Sequence, residues 1–293
     1  MIGRSTRHVV GFGSTQSADG PLMTRIRPPQ GWHLPNLREL WRYRELLLIL
    51  VWRDVKVRYR QTALGIAWAV LQPVLMVAAL TIFFGRLAGL PSAGVPYPLF
   101  ALTGVLPWMF FAAAVTSASN SVVQSERLVS KIYFPRLTIP LAAVGVAAVD
   151  FAVASAVLAL LMSWYGVWPG PAVALVVPGA CAIGVAGLAF GTGLAALNIR
   201  YRDVRFVVPF LVQFWMLATP SVYMQPPADA SGWLAVLIWA NPMTGLIDAF
   251  RAACLGLPFP LTQFLVSGTF VLGLAVVSAS YFRSVENEFA DVI

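Results

Sequence analysis

Residues 137–199 read LTIPLAAVGVAAVDFAVASAVLALLMSWYGVWPGPAVALVVPGACAIGVAGLAFGTGLAALNI, and Asp150 is the one charged residue among them. Because about 20 apolar helical residues cross the hydrocarbon core of a bilayer, this segment is long enough for two spans. The aromatic turn WYGVWPGP at 164–171 divides it. The segment therefore predicts a pair of membrane-spanning helices joined by a tight turn.

Uncharged runs on both sides of this pair predict four more spans. They lie at 61–85, 87–125, 206–228 and 261–282, and the second includes an extracytoplasmic loop before a span near 99–119. The predicted fold is an all-α integral membrane protein with six transmembrane helices. Its transmembrane domain is expected over 62–293.

The composition excludes several other classes of protein. Hydrophobic residues make up 59% of the 293 residues, charged residues 11%, and the mean hydropathy is +0.77. A soluble domain carries about 25% charged residues, so a cytosolic enzyme and a disordered protein are excluded. Two cysteines and two histidines are too few for a disulfide scaffold or a histidine metal cluster. The net charge of +8 is explained by membrane topology, and we predict no nucleic-acid partner.

The basic residues orient the chain in the membrane. Eleven of the 20 lie before residue 66, three in the loop at 120–138, three at 198–205, and Arg283 is in the C-terminal tail. Only Arg86 and Arg251 fall on the other side. The positive-inside rule therefore predicts that both termini are cytoplasmic.

Residues 233–255 are apolar but are not predicted to cross. Asn241-Pro242 breaks the segment into halves of about ten residues, too short to span a bilayer. A broken apolar segment at membrane depth favours a re-entrant helix pair before the last span. The alternative is a seventh span, which would place the termini on opposite sides.

An amphipathic helix is predicted at 37–61, before the first span. Residues 1–36 contain no apolar core and are predicted to be a disordered cytoplasmic leader, and Met23 is an alternative start to Met1. Basic residues recur on one face of the helix at steps of three and four, opposite an aromatic-rich face, which is typical of a helix in the membrane interface. The basic face includes Arg53, Lys56 and Arg60.

The loop at 124–136 is short and charged, and Pro135 would end two helical turns within it. Leu128, Ile132 and Tyr133 would share one face, which suits docking to a partner protein. The alternative is an ordinary connecting loop.

Asp150 is alone in an apolar span, with no basic residue inside the spans to pair with it. A buried carboxylate costs several kcal/mol unless it is paired or protonated. A hydrogen-bonded packing role is favoured over a proton relay.

Two sets of aromatic residues are candidates for a channel lining. Phe206, Phe210 and Phe214 share one face of the fifth span, and Trp108 and Phe111 lie near the middle of the second. Aromatic faces stack on sugar rings, although aromatic stripes in membrane helices also face lipid or pack.

The sequence contains no Gly-Lys pair and therefore no nucleotide-binding P-loop. It also lacks the HExxH and GxSxG motifs. We predict that the chain is not an enzyme and that no metal or cofactor binds to it.

Several motifs, in order along residues 37–293, resemble the ABC-2 type polysaccharide export permeases, which export O-antigen, capsule or teichoic acid chains. They are WRDVKVRYRQTALG at 52–65, AW at 67–68, QP at 72–73, LVSKIYFP at 128–135, NIRYRDV at 198–204, TP at 219–220, NPMTGLI at 241–247, FR at 250–251 and EFADVI at 288–293.

The resemblance implies a homodimer of permease subunits with two copies of a separate ATPase, which binds ATP and Mg. It implies that the segment 127–134, called the coupling segment below, docks on the ATPase. It also implies that 233–255 forms gate helices, with Asn241, Pro242 and Arg251 as gate residues. The substrate implied is a glycan on a polyprenyl diphosphate lipid, with Arg53, Lys56 and Arg60 at the diphosphate. The coupling residues implied are Arg127, Leu128, Lys131, Ile132, Tyr133 and Phe134.

Two alternatives remain from the sequence. One is an ABC-2 exporter of drugs or ordinary lipids. The other is a proton-driven secondary transporter with Asp150 as carrier, which the absence of an internal repeat and of paired intramembrane charges disfavours.

Overall fold

The computed structural model describes residues 37–60, 67–126 apart from 88, 90 and 93, residue 128, 134–224 and 233–286. The predicted leader lies outside these residues, as does the EFADVI motif. Every regular element among the described residues is helical, as the sequence predicted. The helices are α1 (Leu37–Arg42), α2 (Arg44–Arg60), α3 (Ala67–Leu80) with a π-helical continuation at Thr81–Leu87, α4 (Tyr97–Gln124), α5 (Thr138–Trp164), α6 (Val176–Arg200) after a 3-10 turn at Pro171–Leu175, α7 (Val204–Leu217), α8 (Trp233–Ala240), α9 (Pro242–Leu255) and α10 (Leu261–Val285).

Helix α4 forms the centre of the fold, and most of its length is buried, whereas the other long helices keep large exposed apolar faces. Helices α5 and α6 pack along it. Gly187 and Gly191 of α6 face Ala114 and Ala118 of α4, and a Cβ added at either glycine would lie 2.5 Å from the facing alanine Cβ. Small residues at this spacing let two membrane helices approach closely, so these four residues fix the α4–α6 contact.

Five helical segments are long and apolar enough to cross a membrane, namely Val70–Leu87, Tyr97–Gln124, Thr138–Trp164, Pro171–Arg200 and Leu261–Val285. They match five of the six predicted spans. The sixth was predicted over 206–228, of which the structure describes residues up to 224. Within that described part the helix is α7, whose 14 residues extend about 21 Å at 1.5 Å per residue. A bilayer core is about 30 Å thick, so the count of six crossings stays a prediction.

The predicted break at Asn241-Pro242 is present, because α8 ends at Ala240 and α9 begins at Pro242. Asn241 caps α9 by accepting a hydrogen bond from the Met243 backbone N–H at 3.0 Å. Proline at the first helical position needs no N–H partner, which favours a new helix start there. The two helices are therefore separate short elements, as expected of a re-entrant pair.

The helix predicted at 37–61 is present as α1 and α2, separated by a turn at Tyr43, and its place in the membrane interface stays a prediction. Trp41 and Trp52 of its apolar face are 70% and 69% exposed. Exposed tryptophans are unfavourable in water but stable at a membrane interface. Meanwhile, Leu40 and Leu46 pack against a buried cluster at the ends of α4, α6 and α10, which fixes α1 and α2 to the bundle.

Candidate functional site: two connected cavities beside the central helix

Two open cavities lie along α4. The larger, the Trp108 cavity, has a volume of about 780 Å³ and is bordered by α2, α3, α4, α5 and α7. The smaller, the Gln124 cavity, has a volume of about 480 Å³ and lies nearer the C-terminal end of α4, between it, α2 and α5. Arg58, Thr116 and Ser117 line both cavities, so the two spaces meet at these residues.

The lining of the Trp108 cavity combines aromatic rings with neutral polar groups. Its aromatic residues are Tyr59, Trp68, Trp108, Phe110 and Phe151, and its polar neutral ones include Gln72, Gln213, Thr116 and Ser117. Pockets with apolar walls and a few placed hydrogen-bonding groups bind organic ligands. Rings and amides together suit a ligand with both apolar faces and hydroxyl groups.

The charged residues of the Trp108 cavity form one cluster where the two cavities meet. Arg58 Nη1 donates to Asp150 Oδ2, and the Tyr59 hydroxyl donates to Asp150 Oδ1. Burial, and then the hydrogen bond to Asp150, raise the pKa of Tyr59 to about 12, so its hydroxyl remains a donor. The carboxylate of α5 is thus paired by the interface helix and not by another span.

This cluster bears on the question that the sequence left open at Asp150. No basic residue inside the spans was expected, and the partner Arg58 comes from the interface helix, outside them. The hydrogen bonds that the favoured role requires are present, and the role itself stays a prediction. Neither Arg58 nor Tyr59 was a predicted site residue, since Arg58 lies off the periodic basic face of the interface helix.

A second polar network holds α9 against the segment that follows α7. Arg251 donates to Asp248 at 2.7 Å and to the carbonyls of Ser221 and Pro220 at 2.8 and 3.3 Å. Its guanidinium carbon lies 4.1 Å from the centroid of the Phe100 ring. The side chain is 5% exposed, so Arg251 is a buried structural tie.

Asn241 extends the same network. Its Nδ2 donates to Thr219 Oγ1 at 2.8 Å, and its Oδ1 accepts from Trp215 Nε1 at 3.1 Å. The Tyr97 hydroxyl donates to the Val222 carbonyl at 3.0 Å. The predicted gate residues Asn241 and Arg251 therefore fix segment 218–223 to α4 and α9.

A protein-family model described as ABC-2 type transporter matches residues 45–255. The chain belongs to the ABC-2 type transporter family. Membership makes it a membrane subunit of a transporter that works with an ATPase subunit, and it argues against the proton-driven alternative. The matched range includes the cluster of Arg58, Tyr59 and Asp150 and all residues of the α9 network.

Three relatives are similar to this ABC-2 type chain over most of its length. The O-antigen export system permease protein RfbA of Myxococcus xanthus is 30% identical over 261 residues, covering 88% of this chain and 98% of the relative. Two proteins of the same name from Klebsiella pneumoniae are 28% and 27% identical, each covering 85% of this chain and 95% of the relative.

The predicted channel aromatics divide into three environments in this ABC-2 type subunit. Trp108 lines the larger cavity. Phe111 is fully buried and packs edge-on against Trp215, so it supports the wall without reaching the cavity. Phe206, Phe210 and Phe214 are 57–67% exposed on the outer face of α7, and their role in a channel stays a prediction.

The predicted diphosphate residues are not gathered at one cavity. Arg53 lines the Gln124 cavity, and its Nε donates to the adjacent Asp54 at 2.7 Å. Lys56 and Arg60 are exposed on α2 and border neither cavity. Their assignment to a lipid diphosphate stays a prediction.

The predicted coupling segment is described in part. Leu128 packs partly against the buried cluster, and Phe134 is 4% exposed within it. Both side chains therefore support the chain's own core. Arg127, Lys131, Ile132 and Tyr133 lie outside the described residues.

The C-terminal end of α10 lies beside this segment. Glu286 Oε1 accepts from the Arg136 backbone N–H at 3.1 Å, and Arg283 pairs with Glu39 of α1 at 3.3 Å. Burial raises the pKa of the Glu286 carboxyl. These contacts connect the loop before α5, the last helix and the interface helix.

Proposed function

We propose that this chain is the membrane subunit of an ABC exporter that moves a polyprenyl-diphosphate-linked polysaccharide from the cytoplasm to the outer side of the bacterial plasma (inner) membrane. Both termini would be cytoplasmic. A separate ATPase subunit would bind ATP and Mg and supply the energy. The three relatives support the polysaccharide class, since each is named as an O-antigen export permease.

The mixed lining of the Trp108 cavity is the observation that carries this proposal. A sugar ring presents apolar C–H faces to aromatic side chains and hydroxyl groups to amides. Trp68, which is 50% exposed, supplies an accessible ring, and Gln72 and Gln213 supply amide donors and acceptors, whereas Trp108 is 2% exposed and backs the cavity wall. A purely apolar lining would suit a lipid or drug better than a glycan.

Two copies of this chain would enclose the path. The walls of the Trp108 cavity include α3 and α7, and both helices carry exposed large apolar residues, including Leu75, Phe83, Phe206 and Phe210. A second copy covering these faces would bury them and close the cavity into a channel. We expect Phe210→Cys to form a disulfide between the two copies. Leu160→Cys on α5 should form none.

The experiment that tests the function uses a matched tryptophan pair. Trp68 and Trp164 are both exposed, but only Trp68 lines the cavity. In cells that lack the chromosomal copy, the natural chain should restore surface polysaccharide and Trp164→Ala should do so fully. Trp68→Ala should lower export about twofold to tenfold, the range that loss of one aromatic stacking contact gives.

Contrary results are equally clear. Surface polysaccharide that is unchanged by removal of the chain would contradict the proposed function. Equal export by the two alanine variants would contradict the assignment of the Trp108 cavity to the glycan.

Docking to the ATPase is tested at Ile132, since Leu128 and Phe134 support the core. We expect Ile132→Asp to weaken co-purification of the ATPase, because it places a charge in an apolar contact. Undiminished co-purification would remove the docking role from this loop.

A further inference from the structure

The contact between Arg58, Tyr59 and Asp150 joins the interface helix to the third predicted span. Arg58 and Tyr59 engage different oxygens of the Asp150 carboxylate, so both oxygens are occupied. The Arg58 and Asp150 side chains are 43% and 27% exposed. A ligand in the Trp108 cavity can therefore reach both residues, and one in the Gln124 cavity can reach Arg58, whereas Arg251 is buried.

The pair lies at the junction of the two cavities. Arg58 lines both the Gln124 cavity and the Trp108 cavity, together with Thr116 and Ser117 of α4. These three residues are common to the two linings, so they border the place where the cavities adjoin. With Asp150 holding it, Arg58 stays at the junction.

The charge balance at this junction selects the ligand. Among the described residues that line the Trp108 cavity, Arg58 is the one cation and Asp150 the one carboxylate. A neutral ligand that separated them would offer neither charge a new ionic partner, so it gains nothing in exchange for the pair. A diphosphate has more oxygens and more charge than a carboxylate, and the guanidinium fork binds such oxygens in a bidentate manner.

We propose that Arg58, Tyr59 and Asp150 form a gate between the two cavities, and that a phosphate or diphosphate group opens it by taking Arg58 from Asp150. The exchange leaves Arg58 paired with the ligand and leaves Asp150 with the Tyr59 hydrogen bond. It also removes the ionic tie between α2 and α5, so that the attached chain can enter the Trp108 cavity. This gate rests on the proposed function, because a lipid-linked glycan supplies the phosphate.

The test measures binding to the intact complex of this chain with its ATPase subunit. The probe is polyprenyl diphosphate without glycan, in phosphatidylcholine vesicles. Asp150→Asn removes the competing charge, so binding should strengthen by about tenfold, the effect of one charge-assisted hydrogen bond. Arg58→Gln should weaken binding by about as much, and the double variant should behave like Arg58→Gln because the ligand's partner is gone.

Arg44→Gln is the matched control. Arg44 is an exposed arginine on the same helix and lines neither cavity. It should leave binding unchanged, since general attraction between a basic helix and an anionic lipid is about 1 kcal/mol per residue in strongly anionic membranes and small in neutral vesicles. If Arg58→Gln fails to assemble, Arg58→Lys keeps the charge without the fork and should also weaken binding.

Two further arms identify the source of the phosphate. Inorganic diphosphate that competes with the vesicles in the natural chain, but not in Arg58→Gln, supports recognition of the phosphate group itself. Failure of inorganic diphosphate to compete, with tight vesicle binding retained and still dependent on Arg58, supports recognition of the lipid-linked form. Phosphatidylglycerol vesicles that bind as tightly as polyprenyl diphosphate vesicles would overturn the proposal.

Equal weakening by Asp150→Asn and Arg58→Gln would also overturn it, because the pair would then be only a structural tie. Export in cells separates this failure from a failure of the proposed function. If the natural chain restores surface polysaccharide while the binding pattern is absent, the gate alone is wrong. If it restores none, the proposed function is wrong.

Discussion

Two arginine–aspartate pairs in this molecule have the same chemistry and opposite surroundings. Arg251 and Asp248 lie one helical turn apart on α9, with side chains 5% and 18% exposed, and Arg251 makes further bonds to two carbonyls and a ring. Arg58 and Asp150 come from different helices and are 43% and 27% exposed. Both border the Trp108 cavity, and Arg58 also borders the Gln124 cavity. The first arginine has no route to exchange its partner, whereas the second does.

The difference in exposure shows how the same two residue types can either hold helices together permanently or exchange partners with a ligand. A buried guanidinium that loses its partners keeps an uncompensated charge, so its contacts are kept throughout the cycle. An accessible pair costs little to break and can exchange with a charged ligand. The fold places the tie at the predicted gate helices and the exchangeable pair where the cavities meet.

The largest expected effect is at Arg251. Arg251→Gln should destabilise the folded chain by about 3–5 kcal/mol, the cost of breaking a buried ion pair. Thermal unfolding in detergent, followed by size-exclusion chromatography, measures it. Arg205→Gln is the control, because Arg205 is exposed. Its guanidinium carbon lies 4.6 Å from the centroid of the Phe206 ring. Equal unfolding temperatures for the two variants would remove the distinction between the pairs.

Gly104 tests the packing that holds Arg251. A Cβ at this position would lie 1.8 Å from the Ser221 carbonyl oxygen and 2.3 Å from Arg251 Nη2. Gly104→Ala should therefore destabilise by about 1–3 kcal/mol through overpacking. Gly273→Ala on α10 meets no atom within 4 Å, and it should be neutral or slightly stabilising, since alanine favours a helix by about 1 kcal/mol over glycine. Unchanged stability of the Gly104→Ala variant would show that Ser221 and Arg251 can move aside at little cost.

The basic face of α2 gives a smaller effect. Arg53→Ala with Arg60→Ala should lower export while insertion survives, because an arginine pair can bind a diphosphate with charge-assisted hydrogen bonds. The alternative is that this face only anchors the protein to anionic lipid, at about 1 kcal/mol per residue. Double replacement by Lys separates anchoring from bidentate recognition, since anchoring requires only charge. Full export by the Lys variant would make this face an anchor and leave Arg58 as the phosphate contact.

The smallest effect on stability is expected at Asp150. Asp150→Asn keeps a hydrogen-bond acceptor for Arg58 and Tyr59, and a partly exposed ion pair contributes about 0–1 kcal/mol. The unfolding temperature should therefore stay close to that of the natural chain. A fall in unfolding temperature as large as that of Arg251→Gln would mean that both pairs serve mainly to stabilise the fold.

The sequence predicted the helices well because hydrophobic length and proline breaks are local signals. The end of α8 and the start of α9 follow from Asn241-Pro242 alone. The partner of Asp150 could not be predicted in this way, because Arg58 is 92 residues away in the chain and lies off the periodic basic face. Only the packing of α2 on α5 brings them together.

The aromatic candidates show the same limit. Spacing by four residues placed Phe206, Phe210 and Phe214 on one face, but it could not say what that face contacts. Phe111 lies three residues from Trp108 and both rings are buried in the core, yet only Trp108 borders the cavity. Both positions depend on α6 and α7, which pack on α4 from distant parts of the sequence.

Photo-crosslinking tests most directly whether the glycan lipid passes through the Trp108 cavity. A photoreactive residue replaces Ala113, which lines this cavity, or Leu160, which is 72% exposed on α5 away from it. In membranes containing the complex and a radiolabelled lipid-linked glycan, we expect crosslinks to the sugar portion at 113 and not at 160. Sugar crosslinks of equal yield at both positions, or none at 113 in a complex that still exports, would contradict this path.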